Sequence, residues 1–270
     1  KFVRTALVRL REYQASARRI YLFCLSTLKR SAEMINKSLL KCEAEKIGVL
    51  LDETALDRFD LYAEMLVETN KTLNLTAITD PDEIVYKHFV DSLALLSCVN
   101  FKDNAKVIDV GTGAGFPGVV LLIARPDLKM TLLDGTNKRL VFIANVLDEL
   151  GLEADIVHIR AELAGKDESF REQFDVVTAR AVANLNTLSE YCMPFVKIGG
   201  YFSPMKSVKT DEEVLAARGA IKLLGGRIEE IKEPNIDNCG ERYIILTKKI
   251  SQTPPKYPRA SAQISKKPLS

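Results

Sequence analysis

The amino-acid sequence indicates an α/β protein built on a mainly parallel, doubly wound sheet. After Asn104, short β-branched runs alternate with segments of helical spacing, a pattern typical of parallel strands joined by helical crossovers. The chain has 270 residues, 47% of them hydrophobic, so it can bury one substantial core with an appendage. We therefore predict a single sheet domain preceded by a smaller extension.

Seven strands are predicted from this rhythm. They cover residues 106–110, 129–133, 154–159, 174–178, 201–205, 227–232 and 243–248. Helices are expected between them, near residues 118–124, 138–150, 185–195 and 211–224. The last two strands follow each other without a helix, so we expect an antiparallel hairpin at one edge of an otherwise parallel sheet.

The segment before the sheet is predicted to be helical. Apolar residues between 34 and 70 recur at helical spacing, Asp52 marks a helix start, and Asp80-Pro81 starts another helix that runs to about Ser97. We assign residues 34–100 to an N-terminal helical segment and residues 101–250 to the sheet domain.

The two ends of the chain are basic. Residues 1–33 hold eight Lys or Arg and two Glu, and we interpret them as a leader outside the functional protein, which would begin at Met34. Residues 251–270 contain four prolines among basic residues, so we expect an extended surface segment or disorder. Because the remaining middle is acidic, a polyanionic partner would have to be held by local patches and tails.

Several function classes are disfavoured by composition. The five cysteines are scattered without a Cys-x-x-Cys pair, and there are only two histidines, so neither a metal site nor a disulfide framework is predicted. No apolar run approaches the length that spans a bilayer. We expect a cytoplasmic protein without a metal.

A glycine-rich loop follows the first predicted strand, at Asp109-Val-Gly-Thr-Gly-Ala-Gly-Phe-Pro-Gly118. Glycines at 111, 113 and 115 allow a sharp turn and a close approach of the backbone to a ligand. Phe116 stands where a dinucleotide-binding Gly-x-Gly-x-x-Gly pattern has its third glycine, and Asp109 lies two residues before the first glycine. Both details favour S-adenosylmethionine over a nicotinamide cofactor. The alternative to a cofactor site is that the glycines form a purely structural turn. A nicotinamide-dependent oxidoreductase is also disfavoured because the chain has no Tyr-x-x-x-Lys pair.

Further polar residues follow the next strands. Asp134 can accept hydrogen bonds from ribose hydroxyls, or alternatively cap the next helix. Ala161-Glu162 follows the third strand and Arg180 follows the fourth, where they can read an adenine edge or hold an anion, or can be solvated charges. His88 and Asp91 share one helical face, and the reading that we favour is a packed histidine with a partner on the helix surface.

These motifs, in this order, resemble the RsmG family, also called glucose-inhibited division protein B. The resemblance extends from about Met34 to Leu269. It rests on Asn-Leu-Thr-Ala-Ile at 74–78, His-Phe-Val-Asp-Ser-Leu at 88–93, the glycine loop at 107–118, Leu-Leu-Asp at 132–134 with Lys-Arg at 138–139, Arg-Ala-Glu at 160–162, Ala-Arg-Ala at 179–181 and Lys-Tyr-Pro-Arg at 256–259. Lys206-Ser207 departs from the usual Lys-Gly of the family, and the tail after Arg259 departs from its usual basic, glycine-containing stretch.

The resemblance implies a Rossmann-like class I S-adenosylmethionine-dependent methyltransferase fold with a seven-stranded sheet. It implies methylation of guanine N7 in the 530 loop of 16S ribosomal RNA, with 16S RNA or the small ribosomal subunit as partner. It also implies that Gly111, Phe116, Ala161-Glu162 and Arg180 line the cofactor site. Together with the residues singled out above, the predicted cofactor-binding set is Asp109, Gly111, Gly113, Gly115, Phe116, Asp134, Ala161, Glu162 and Arg180.

No catalytic base is predicted, because guanine N7 carries a free lone pair and no proton. Lys87, His88, Arg139 and Arg180 are the candidate RNA-contacting residues, together with the basic residues of the tail. Two alternatives stay open: a methyltransferase acting on another RNA, a small molecule or a protein, and a non-catalytic ribosome-binding protein. We expect a monomer.

Overall fold

The computed structural model of the chain describes residues 33–180, 183–207 and 211–270. The basic leader predicted for residues 1–33 lies outside the described residues, apart from Glu33. None of the described helices is both long and apolar enough to cross a bilayer.

Seven strands form one sheet, as predicted. They are β1 (Lys106–Val110), β2 (Lys129–Asp134), β3 (Asp155–His158), β4 (Phe174–Arg180), β5 (Val196–Lys206), β6 (Gly226–Lys232) and β7 (Tyr243–Lys249). Their order across the sheet is β3-β2-β1-β4-β5-β7-β6. The pairs from β3 to β5 are parallel, and β7 runs antiparallel to both β5 and β6. The predicted Rossmann-like, mainly parallel sheet with an antiparallel hairpin at one edge is confirmed.

Helices precede the sheet and connect its strands. In the described parts of the chain they are α1 (Lys37–Lys46), α2 (Glu53–Leu73), α3 (Pro81–Ile84), a π-helical turn (Val85–Val90), α4 (Asp91–Cys98), α5 (Gly118–Ala124), α6 (Asn137–Leu150), α7 (Ala161–Ala164), α8 (Leu185–Cys192), a 3₁₀ turn (Met193–Phe195), α9 (Asp211–Leu223) and α10 (Ser261–Lys266). The N-terminal helical segment is therefore present, and α3 to α4 form the predicted helix from Pro81 with an unpredicted π turn inside it.

The two faces of the sheet carry separate hydrophobic layers. Successive strand residues point to opposite faces, so Val107 belongs to the layer beneath the N-terminal helices while Ile108 belongs to the other. The first layer includes Phe59 and Tyr62 of α2, both fully buried. The N-terminal helices are thus part of the main core rather than a separate appendage.

Helix starts follow the side chains expected to cap them. Asp52 accepts a hydrogen bond from Ala55 N at 2.7 Å, and Asp80 accepts one from Glu83 N at 3.0 Å. Asn74 ends α2 in a left-handed conformation with φ 48°. Asn74 ends α2 at the connector, and Thr76 of this connector contacts His88 of the π turn at 2.9 Å.

The C-terminal tail is folded against the domain. Residues 251–260 contain no helix or strand and are bound to the surface of the domain, in line with one of the two expectations; the other, disorder, was wrong, and the helix α10 was not predicted. Tyr257 and Ile264 are buried, and α10 packs near α8. Arg259 donates to both carboxylate oxygens of Glu190, a residue with no exposed surface, at 2.8 and 2.6 Å. Proline and lysine content suggested disorder, but two apolar anchors and a buried ion pair stabilise one conformation.

Candidate active site

The glycine loop after β1 adopts the conformation that its glycines permit. Gly111, Gly113 and Gly115 have φ of 74°, 60° and 103°, in the left-handed region that disfavours other residues. A Cβ placed on Gly113 would meet only Gly111 O, at 3.9 Å. The backbone at Gly113 therefore faces open space, which a ligand can approach closely.

Two other glycines of the loop are required by protein packing. A Cβ on Gly115 would lie 2.6 Å from Tyr62 Oη, and a Cβ on Gly118 would lie 2.3 Å from Leu132 Cδ2. Both distances are too short for real contacts, so a side chain there would push apart the loop and its support. Gly115 and Gly118 allow the loop to pack closely against the protein core, whereas Gly113 faces open space.

Asp109 supports the loop from within the core. Its Oδ2 accepts hydrogen bonds from Thr112 Oγ1 at 2.7 Å and from Gly118 N at 2.9 Å, joining the two ends of the loop. The side chain is fully buried, and this desolvation raises the pKa of Asp109 to about 6. This geometry makes Asp109 a support of the loop; direct contact with a cofactor stays a prediction.

Asp134 is the last residue of β2 and lies beside the glycine loop. Its Oδ2 accepts a hydrogen bond from Gly113 N at 3.0 Å, and its Oδ1 accepts one from Thr136 N at 2.7 Å. The N-cap of α6 is Thr136, so Asp134 is not the helix cap considered from the sequence. Each carboxylate oxygen can accept a second hydrogen bond, which leaves Asp134 able to receive ribose hydroxyls.

Glu162 supplies a second carboxylate at the next strand end. It lies with Ala161 in the single turn α7 after β3, it is 8% exposed, and its Oε1 accepts a hydrogen bond from Arg160 Nε at 3.0 Å. S-adenosylmethionine offers ribose hydroxyl and adenine amino donors together with a sulfonium cation. The open space at Gly113 and the carboxylates of Asp134 and Glu162, which stand at the ends of the neighbouring strands β2 and β3, suit these groups, and we call them the cofactor cradle.

Phe116 stands in an aromatic stack that ties the loop to the N-terminal helices. Its ring centroid lies 5.4 Å from that of Tyr62 and 4.4 Å from that of His88, both in stacked orientation. The guanidinium carbon of Arg180 lies 4.9 Å from the Phe116 centroid. Tyr62 also donates a hydrogen bond to Ala114 O at 2.5 Å. A phenyl ring in place of glycine thus anchors the loop.

His88 is a packed histidine, as we favoured from the sequence. Its Nε2 lies 2.9 Å from Thr76 Oγ1, and its Nδ1 lies 3.4 Å from Arg180 Nη2. Burial first, and the Arg180 charge second, lower the pKa of His88 to about 4. These contacts unite two separate sequence motifs, the connector containing Thr76 and the helix containing His88.

Asp91 is not paired on the helix surface, and that part of the favoured interpretation was wrong. The side chain is 5% exposed and is shared by two arginines. Its Oδ2 accepts from Arg180 Nη1 at 2.7 Å, and its Oδ1 accepts from Arg242 Nε at 2.8 Å. Helical spacing placed His88 and Asp91 on one face correctly, but only packing against β4 and β7 shows that this face points inward.

A pocket of about 270 Å³ adjoins this cluster, and we call it the cationic pocket. Three of the four candidate RNA contacts line it: Lys87, His88 and Arg180. The fourth, Arg139, lies 3.8 Å from Asp134 instead. Sequence reasoning missed Arg242, which also lines the pocket, because a lone arginine before a strand carries no local signal. The remaining lining residues are Asp91, Ala183, Leu188, Met205, Lys206 and Ser207.

No group of three or more metal-binding side chains occurs in the described ranges 33–180, 183–207 and 211–270. The family described as rRNA small subunit methyltransferase G matches residues 55–239 of the chain, from the first turn of α2 to the loop before β7. This methyltransferase family and the acid-lined glycine cradle together support S-adenosylmethionine as the cofactor.

The chain is also similar to individual known proteins. The Ribosomal RNA small subunit methyltransferase G of Alkaliphilus metalliredigens is 45% identical over 238 residues, covering 87% of this chain and 100% of that protein. That of Acetivibrio thermocellus is 46% identical over 239 residues, covering 88% and 98%. A solved S-adenosylmethionine-dependent O-methyltransferase from Thermotoga maritima is 16% identical, with a TM-score of 0.48 and coverage of 70% and 72%. The chain belongs to the rRNA small subunit methyltransferase G family.

Proposed function

We propose that the protein transfers the methyl group of S-adenosylmethionine to N7 of a guanine in the 530 loop of 16S ribosomal RNA. The observation that carries the proposal is the cationic pocket, whose lining residue Arg180 has its guanidinium carbon 4.9 Å from the ring centroid of Phe116 in the glycine loop. A cofactor that donates a methyl group and a polyanionic substrate need such neighbouring sites. The guanine N7 target rests on the family resemblance.

Methyl transfer to guanine N7 requires the protein mainly to position the two reactants. Guanine N7 has an in-plane lone pair, so it attacks the sulfonium methyl without first losing a proton. The chain then contributes by holding the reacting atoms in line, which converts a bimolecular step into an effectively unimolecular one. His88, the one histidine of the pocket, is packed against Thr76 and Phe116. That packing suits a wall of the site and requires no proton transfer.

Electrostatics separate the two binding sites. The cofactor cradle presents the carboxylates of Asp134 and Glu162, which suit a sulfonium cation and hydroxyl donors. The cationic pocket presents Lys87 and Arg180, which suit phosphates. We propose a cytoplasmic enzyme that acts on 16S RNA, alone or within the small subunit, as a monomer.

The direct test maps N7-methylguanosine in 16S RNA from cells with and without the gene, followed by methyl transfer to purified 16S RNA. We expect one N7-methylguanosine in the 530 loop that disappears with the gene. An unchanged modification map, or transfer only to small molecules or proteins, would reject the proposal.

A second test addresses the site residues. Asp134→Ala and Glu162→Ala should weaken S-adenosylmethionine binding by about 10-fold or more, since each removes a charged acceptor, while RNA binding stays close to wild type. Calorimetric titration measures the first and filter binding the second. Equal losses of both affinities would show that these carboxylates do not form a separate cofactor site.

A further inference from the structure

Arg242 presents a guanidinium that the protein uses only in part. Its Nε donates to Asp91 Oδ1 at 2.8 Å, and its Nη1 donates to Glu241 O at 2.9 Å. None of the residues that the structure describes accepts a hydrogen bond from its Nη2. The side chain is 18% exposed and lines the cationic pocket. Arg242 can therefore donate to a ligand in this pocket without giving up its present contacts.

The charges around Arg242 do not cancel within the pocket. The lining contains the four cations Lys87, Arg180, Lys206 and Arg242 but the single carboxylate of Asp91. Outside the lining, Glu83 pairs with Lys87 and Glu213 pairs with Lys206. Among the residues that the structure describes, Asp91 is the carboxylate that the two guanidinium groups share, so its one negative charge stands against their two positive charges. The guanidinium group of arginine is planar and always charged, and in a pocket with net positive charge it is suited to binding phosphate.

The loop that carries Arg242 is held in place before any ligand binds. Cys239 donates from Sγ to Tyr86 O at 2.8 Å, and Lys46 reaches Asp237 at 2.8 Å. Ile236 is buried in the core layer beneath the N-terminal helices. These anchors connect the loop to α1 and to the π turn. The position of Arg242 is thus set in advance, which lowers the entropy that binding would otherwise cost.

We propose that Arg242 binds the phosphate of the nucleotide to be methylated, and that Asp91 is the residue that positions it. This inference rests on the proposed function. The phosphate is the favoured group because an arginine fork on the Hoogsteen edge of guanine would occupy N7, whose lone pair must stay free for the methyl group. The pocket is linked to the glycine loop through Arg180, whose guanidinium carbon lies 4.9 Å from the ring centroid of Phe116. Arg242 therefore fixes the target nucleotide next to the methyl donor.

The test compares Arg242→Gln with Arg227→Gln in RNA-binding titrations over a range of salt concentrations. Arg227 is the matched control because it lies on β6 of the same hairpin, exposed and paired with Glu229. For Arg242→Gln we expect RNA binding weaker by about 10- to 100-fold and a slope of log affinity against log salt that is smaller by about 1. S-adenosylmethionine affinity should stay within about 2-fold of wild type, and Arg227→Gln should change neither quantity.

Asp91→Asn gives an independent test of positioning. This change adds net positive charge to the pocket, so a diffuse electrostatic patch would bind RNA more tightly. If Asp91 positions Arg242, Asp91→Asn should instead bind RNA more weakly than wild type. Arg242→Lys should also bind RNA more weakly, because lysine keeps the positive charge but lacks the two-pronged guanidinium group. Circular dichroism at the assay temperature checks that each variant is folded, and only the folded fraction is used in the affinities.

The outcomes separate this inference from the proposed function. If wild-type protein forms no N7-methylguanosine in 16S RNA, the proposed function fails, whatever the variants do. If wild type does so and Arg242→Gln binds RNA with unchanged affinity and salt slope, the role of Arg242 is rejected. Tighter RNA binding by Asp91→Asn would overturn the positioning role of that carboxylate.

Discussion

Removal of the Arg259 side chain should destabilise the fold by several kcal/mol. Glu190 has no exposed surface, and Arg259 donates to it from Nε at 2.8 Å, from Nη2 at 2.6 Å and from the backbone N at 2.8 Å. Arg259→Ala keeps only the backbone contact, so a buried carboxylate loses its counter-charge. Breaking such a pair from one side costs about 3–5 kcal/mol.

Thermal and urea unfolding measure this cost. For a chain of this size, about 1 kcal/mol shifts the midpoint by roughly 2–4 °C, so we expect Tm to fall by about 6–20 °C. Glu190→Gln combined with Arg259→Ala removes both charges and should recover most of the loss. Lys266→Ala is the matched control, since Lys266 is an exposed base of the same tail.

The same measurement decides between two roles for the tail. If Arg259 contacts RNA and contributes nothing to the fold, Arg259→Ala will unfold within about 0.5 kcal/mol of wild type while RNA affinity drops. That result would refute the argument from the buried ion pair. Loss of stability with RNA affinity retained by the folded fraction would support it.

Four further substitutions test the glycine loop. Tyr62→Phe leaves Ala114 O without its donor inside the core, which should lower the free energy of unfolding by about 1–3 kcal/mol in urea titrations; no change would show that the carbonyl finds another donor. Gly118→Ala should lower the free energy of unfolding by about 1–3 kcal/mol, because the added methyl group overpacks the core. Gly113→Ala should lower it by only about 1–2 kcal/mol, for the left-handed backbone, and should mainly weaken cofactor binding because the space at Gly113 is open. A larger effect of Gly118→Ala on cofactor binding, with a larger loss of stability for Gly113→Ala, would contradict the geometry. Burial raises the pKa of Asp109 in the folded state from 3.8 to about 6, so between these pH values the folded protein holds a proton that the unfolded chain has lost. The free energy of unfolding should therefore fall by about 2–3 kcal/mol as pH rises from about 4 to 6. Asp109→Asn should lack this component in unfolding titrations across that range, and identical pH profiles for the two proteins would reject the assignment.

Local patterns predicted the sheet, the glycine loop and the acidic residues at the strand ends, because these features depend on short stretches of chain. Alternation within each strand and helical spacing between strands follow from neighbouring residues, so the seven strands and the terminal hairpin were predicted. Six strands were predicted within two residues of their observed bounds, whereas β5 begins at Val196, five residues before its predicted start. Parallel strands bring their carboxyl ends to one edge. Asp134 and Glu162, each at or just after a strand end, therefore lie at the same edge of the sheet as the glycine loop.

The cationic pocket was only partly predictable. His88 and Asp91 were placed on one helical face, but the direction of that face depends on how α4 packs against the sheet. Arg242, which is 151 residues from Asp91 in sequence, carried no signal at all. Such contacts depend on tertiary packing, which brings together side chains whose spacing in the chain has no period.

By itself, the sequence determined the order of the elements, the left-handed glycine loop and the acidic strand ends, since these arise from backbone geometry and local periodicity. The tertiary structure alone decided which charges meet. It placed Asp91 between two arginines and paired Glu190 with Arg259, 69 residues away. Burial makes these pairings specific, because a charged side chain that is removed from water is strongly destabilising unless the fold places an opposite charge beside it.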